Sequence, residues 1–152
     1  MVRSKRRLAL CLTLLCLNLA FIWGNSLLPG ELSGAFSRWV KDLIAWLLGQ
    51  TETGEGGHGL LRKIAHFTEF CTLGMCLRWL YGMLLQKKRI DFWSALGSGI
   101  LAACIDETIQ CFVPGRGPGI KDVGIDTMGV LVGVVFIKFV CKKSKNLEDT
   151  KL

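Results

Sequence analysis

Three short stretches of this chain set ionisable and polar side chains among apolar neighbours. His66 and Glu69 stand three residues apart, Asp106, Glu107 and Gln110 fall within four positions of one another, and Asp122 and Asp126 are four apart. On a helix, spacings of three and four bring side chains to one face. Each stretch therefore presents its polar groups together. Beside them stand Arg62, Lys63, Arg116 and Lys121, four cations against the five carboxylates, so the zone has one negative charge in excess. Three chemistries fit such a set. Carboxylates with a histidine can hold a divalent cation. A carboxyl such as Asp106 or Glu107 can act as general acid or base, with His66 and Glu69 activating water, while Arg62, Lys63 and Arg116 hold phosphate oxygens. The same charges can also pair with one another and do no more than lock helices together. No HExxH-like pattern marks a dedicated metal site. Metal ligands therefore stay unassigned, and no cofactor is expected beyond a divalent ion as the one candidate. Gln110 fits either an orienting hydrogen-bond donor or a polar helix-packing residue.

The elements that must position these groups are apolar runs. A segment of about 20 residues crosses a hydrocarbon core of about 30 Å at about 1.5 Å per residue. Four runs approach that length, 8–23, 64–85, 92–113 and 120–140. In a chain of 152 residues that is 51% hydrophobic, with a mean hydropathy of +0.41, they predict one membrane domain rather than a soluble one. The expected fold is all-α, a polytopic bundle of four transmembrane helices over 8–140. On that topology the seven polar residues share one depth, within roughly 6 to 12 Å of the outer helix ends. Small residues continue the same faces inward, Gly99 and Ala103 before Asp106, and Gly129 and Gly133 after Asp126. Small residues let membrane helices approach closely. The polar faces are thus expected to point into the bundle, since ionisable groups in lipid are costly.

The net charge of +7 does not mark a nucleic-acid surface, because the basic residues flank the apolar runs. Arg3, Lys5, Arg6 and Arg7 precede the first, Lys87, Lys88 and Arg89 separate the second from the third, and Lys142, Lys143, Lys145 and Lys151 follow the fourth. The positive-inside rule places these segments in the cytoplasm, including the basic tail 1–7 and the charged tail 141–152, which is expected to lack fixed structure. The first run reads as a retained span, since no Ala-x-Ala-like cleavage site follows it. Arg78 and Lys138 are expected to snorkel toward the inner surface.

Between the first two spans, Phe36, Trp39, Val40, Leu43, Ile44 and Leu47 recur at helical spacing. They predict an amphipathic helix over 35–48, lying in the interface with Trp39 and Trp46 at headgroup level or packed on the protein's outer face. The glycine-rich stretch 49–59 reads as a flexible linker containing a solvated His58. Residues 114–119 read as a tight turn. Seven cysteines, with no CxxC and an odd total, suggest small apolar filler rather than disulfides.

The segments Arg62-Lys63-Ile-Ala-His66-Phe-Thr-Glu69-Phe70, Asp106-Glu107-Thr-Ile-Gln110-Cys-Phe-Val-Pro114-Gly115-Arg116 and Lys121-Asp122-Val-Gly-Ile-Asp126-Thr-Met-Gly129 closely resemble the signature of VanZ-like membrane proteins. The likeness covers 62–140, about half the chain, and Asn25, Ser26 and the stretch 29–33 resemble that family's exit from its first span. Phe70 stands where relatives often carry tyrosine, and 117–119 is barer than usual. The resemblance implies a multi-pass protein of the bacterial cytoplasmic membrane, in a family named for a glycopeptide-resistance determinant linked to teicoplanin. It implies an envelope protein that alters how lipophilic glycopeptides, or the lipid-linked wall precursors they target, behave at the outer leaflet. Its partners would be membrane lipid and one of those two ligands, and not nucleic acid. An enzyme acting on a lipid-linked phosphate is the alternative. A proton-coupled transporter ranks third, because the ionisable groups of the cluster stop at the outer third.

Overall fold

A computed structural model describes residues 2–47, 58–85, 88–117 and 119–149. They form five helices with no strand among the described residues: α1 (Val2–Ser26), α2 (Gly30–Leu47), α3 (His58–Leu84), α4 (Lys88–Cys111) and α5 (Ile120–Asp149). The all-α expectation holds. α3 is the central element, packed against each of the other four helices and most extensively against α5. That close pairing follows from glycine. A Cβ at Gly129 would overlap the Phe67 carbonyl, one at Gly133 the Cys71 carbonyl, and one at Gly74 the Val130 carbonyl. Backbone thus meets backbone where any larger residue would hold the helices apart. Phe70, Leu73, Val130 and Val134 fill the interior of this pairing, and Ile22 closes it from α1.

Several boundaries differ from the sequence expectation. α2 starts at Gly30, five residues earlier than predicted, directly after Pro29, whose carbonyl accepts the first helical hydrogen bond from Ser33 N–H at 3.0 Å. Proline suits a helix start because its missing N–H would have had no helical partner there. His58 and Gly59 belong to α3 rather than to a linker, while 49–57 lie outside the described residues. α5 runs on to Asp149, where an unstructured tail was expected. The stretch 141–149 contains neither Gly nor Pro and several good helix formers, so nothing local ends the helix.

The turn between α4 and α5 is tight, with Gly115 in the left-handed region at φ 72°. It rests on the start of α2. Gly30 N–H donates to the Pro114 carbonyl at 3.0 Å, and a Cβ on Gly30 would collide with the Gly115 carbonyl.

Large apolar side chains cover much of the outside, including Leu17, Phe21, Trp93, Leu101 and Phe136, each more than half exposed. Phe36 and Trp39 of α2 stack with ring centroids 6.0 Å apart and are both largely exposed. Soluble monomers rarely expose this much contiguous apolar surface. Among the described residues, Lys5–Ser26 is the one helical segment long and apolar enough by composition to cross a membrane. Polar residues interrupt the corresponding runs of α3 and α4.

Arg78 does not snorkel. It is ion-paired with Asp91 at the start of α4, both side chains being about nine-tenths buried. One turn along, the Tyr81 hydroxyl and Ser98 Oγ share a hydrogen bond of 2.8 Å. The pair escapes sequence reading because Asp91 lies just outside the apolar run that begins at 92. The side chain of Lys138 lies outside the described residues.

Candidate functional site

The α3–α5 contact that Gly129 permits lies beside His66, because the carbonyl it approaches belongs to Phe67. Asp126, three residues before Gly129 on the same helix face, is thereby brought to His66, with Oδ1 3.6 Å from Nδ1. α4 supplies the third member. Asp106 Oδ2 lies 3.8 Å from the same His66 nitrogen, and the fully buried Ala103 sits one turn inward of it. His66 is 7% exposed, and Asp106 and Asp126 are completely buried.

Around this triad the neighbouring groups hold the structure in place. Gln110 Nε2 donates to Asp106 Oδ2 at 2.8 Å, with Ser26 Oγ at 3.3 Å and Glu107 Oε1 at 3.4 Å as further acceptors. An amide offers two hydrogens, so the short bond to Asp106 dominates. Glu107 is committed elsewhere, since its Oε2 accepts the Gly119 N–H at 2.9 Å and ties α4 to the start of α5. Arg116 is buried and donates to the carbonyls of Asn25 at 2.8 Å and Leu28 at 3.1 Å. A cation there suits the carbonyl end of α1. Burial, with Arg62 nearby, lowers the Arg116 pKa, while Asp106, Glu107 and Glu69 pull it back upward.

Two cavities meet at this centre. A small polar pocket opens over His66 and Asp126 between Arg62, Lys63 and Asp122. On the other side a groove of about 480 Å³ runs between α1, α2 and α3. Phe21, Phe36, Val40 and Ile64 are among its walls, and its polar lining includes Asn25, Arg62, His66 and Glu69. Arg62 and His66 line both cavities and so stand between them. Asn25 Nδ2 donates to Glu69 Oε1 at 3.2 Å, which leaves Glu69 Oε2 without a hydrogen-bond partner.

With this geometry in view, the sequence model of the VanZ/LLP1 family matches residues 8–141. The chain belongs to the VanZ/LLP1 family. The match spans all of the helix that α1 contributes beyond its basic start, the whole of α2 to α4, and most of α5, so it includes every residue of the site. No curated protein and no solved structure matches the chain.

The residues expected from the sequence of this VanZ/LLP1 protein fall into distinct places. His66, Asp106 and Asp126 form the buried centre, and Gln110 orients Asp106. Arg62, Lys63 and Asp122 line the mouth of the polar pocket, while Glu69 faces the groove. Glu107 and Arg116 hold the turn and the end of α1, so of the three cations expected on a phosphate, Arg62 and Lys63 are the two that line a cavity. Lys121 is exposed. Phe70 is fully buried in the core, consistent with the lack of a hydroxyl there. Ser26 and Asn25 join the site although no spacing argument singles them out. Their signal is modest, two polar residues closing an otherwise apolar run.

Proposed function

We propose that this VanZ/LLP1 protein is a four-span protein of the bacterial cytoplasmic membrane, with both ends cytoplasmic. In this reading it receives the hydrocarbon chain of an amphiphile at the outer leaflet and presents the polar end to the His66 centre. The observation that carries this is the largely apolar groove whose polar lining includes Asn25, Arg62, His66 and Glu69. Its size lies within the range of about 300 to 1,000 Å³ common to small-molecule sites. A glycopeptide core is too large for it. A single acyl or prenyl chain is not, so the ligand would be a lipid-linked wall precursor or the acyl chain of a lipophilic glycopeptide such as teicoplanin. The exposed Phe36 and Trp39 of α2 suit a headgroup-level helix flanking the groove's entrance.

The test is deletion of the gene and its restoration as wild type, Glu69→Gln or Ala65→Trp, the last filling the groove. Membrane abundance is read before teicoplanin and vancomycin susceptibility. Normal abundance with loss of a teicoplanin-selective phenotype in both variants supports the reading, and full restoration by both defeats it.

A second reading, catalysis on a lipid-linked phosphate, is favoured by one observation. Arg62 and Lys63 line the pocket into which His66 and Asp126 face, so phosphate oxygens held by the cations would lie beside candidate acid–base groups. Purified protein that fails to turn over prenyl phosphates would count against it.

A further inference from the structure

We infer that His66, Asp106 and Asp126 bind a divalent transition-metal ion, zinc or manganese being the best matched. One donor atom from each of the three side chains lies within 4.8 Å of the others, and all three residues are buried. A second observation points to a ligand. Both carboxylate oxygens of Asp126, Oδ1 of Asp106 and Nδ1 of His66 are buried without a hydrogen-bond partner. Buried polar groups are rarely left so, because an unpaired one loses its hydration and gains nothing in return. Two carboxylates facing a single imidazole also call for more positive charge than one proton brings, and a divalent ion supplies it.

The nearby cations do not meet this need. Arg116 donates to the carbonyls of Asn25 and Leu28 and Arg62 and Lys63 line the polar pocket, and none of the three hydrogen-bonds to the partnerless oxygens of Asp106 and Asp126. Around one ion with bonds of about 2.0 to 2.2 Å, tetrahedrally placed donors stand roughly 3.3 to 3.6 Å apart. The His66–Asp126 and His66–Asp106 separations of 3.6 and 3.8 Å lie within a few tenths of an ångström of that range, and the donor set as a whole, within 4.8 Å, would draw together by up to about 1.5 Å on binding. Imidazole with two carboxylates suits zinc and manganese rather than softer metals. Three protein ligands leave coordination positions open toward the polar pocket, as sites that engage a further ligand do. Gln110 supplies the outer support that fixes a ligating carboxylate, through its bond to Asp106 Oδ2. The inference deepens the view of the cluster as a working centre, yet it needs no ligand in the groove.

The experiment uses the full chain, purified in detergent without chelator and analysed for metal by mass spectrometry. It is then stripped and titrated with Zn²⁺, Mn²⁺ and Co²⁺, reading thermal unfolding and the visible spectrum of bound cobalt. Wild type should carry about one ion per chain and give a cobalt spectrum. Folded Asp126→Asn and His66→Gln should lose both, Gln110→Ala should weaken affinity by about 10- to 100-fold, and Glu31→Gln, at the exposed start of α2, should retain it. Wild type that holds no metal, shows no cobalt spectrum and is not stabilised by any of the three ions overturns the inference, whatever the variants do. Undiminished binding in folded Asp126→Asn and His66→Gln overturns it as well. Metal binding with unchanged glycopeptide susceptibility would keep this inference and defeat the groove reading, and the reverse result would separate them the other way.

Discussion

The two ends of the α3–α4 pair each bury charge, and they do so differently. Toward one end Arg78 meets Asp91, one cation for one anion, and Asp91 Oδ1 also accepts the Phe92 N–H at 2.8 Å. About 18 Å away along α3, judged from the helical rise, His66 faces both Asp106 and Asp126, with three carboxylate oxygens partnerless. In charge the first set is closed, one cation for one anion, and the second is open, with two carboxylates on one imidazole. Ionisable residues in an apolar helix therefore do not by themselves mark function. A matched pair joins helices, whereas an unmatched cluster waits for something else.

That contrast breaks most visibly at the closed end. Arg78→Ala leaves Asp91 buried and unpaired and should cost about 3 to 5 kcal/mol of stability, while Arg78→Met with Asp91→Leu should recover most of it. Thermal unfolding in detergent measures both, and a mild Arg78→Ala would mean that the pair is not what holds α3 to α4 there. Next in size, Gly133→Ala pushes a methyl group into the Cys71 carbonyl and should cost about 1 to 3 kcal/mol. Gly129→Ala should cost as much, and by parting α5 from α3 beside His66 it should also impair whatever the centre does. Arg116→Lys surrenders the guanidinium fork on Asn25 and Leu28 and should lower stability by about 1 kcal/mol, read as a shift in the same melting curves.

The smallest effect on stability belongs to the open end. In metal-stripped protein, Asp126→Asn replaces a buried carboxyl that has no hydrogen-bond partner and should change stability by less than about 1 kcal/mol, or raise it, while abolishing the added stability that a bound ion gives wild type. Complementation with this variant should nevertheless fail. A protein destabilised as much by Asp126→Asn as by Arg78→Ala would erase the distinction between the two ends and make both structural.

Much of the architecture is legible in the chain itself. The helical runs, the shared face of Asp106 and Gln110, and the small-residue positions Gly99, Ala103, Gly129 and Gly133 all follow from a period of 3.6, which is a local property of the chain. The misreadings were local as well. Glycines around His58 and charges after 140 suggested loops, yet a helix needs only compatible residues and no interruption to begin or continue there. Arg78 reads as a snorkelling cation in the sequence because its partner, Asp91, lies thirteen positions away on the next helix.

The sequence by itself thus determined that α3, α4 and α5 each carry a polar face with small residues along it, and that basic segments flank the apolar runs. Only the tertiary structure decided which acids meet His66. Five carboxylates fall on the polar faces of α3, α4 and α5, and periodicity ranks none of them above the others. Asp126 and Asp106 are selected because backbone contact at Gly129 and Gly133, and the fit of Gly99 against Val130, set the rotation and register of α5 and α4 against α3. The same packing turns Glu107 toward the Gly119 amide and Glu69 toward the groove. Such choices depend on steric contacts between residues far apart in the chain, and those do not exist until the helices have docked.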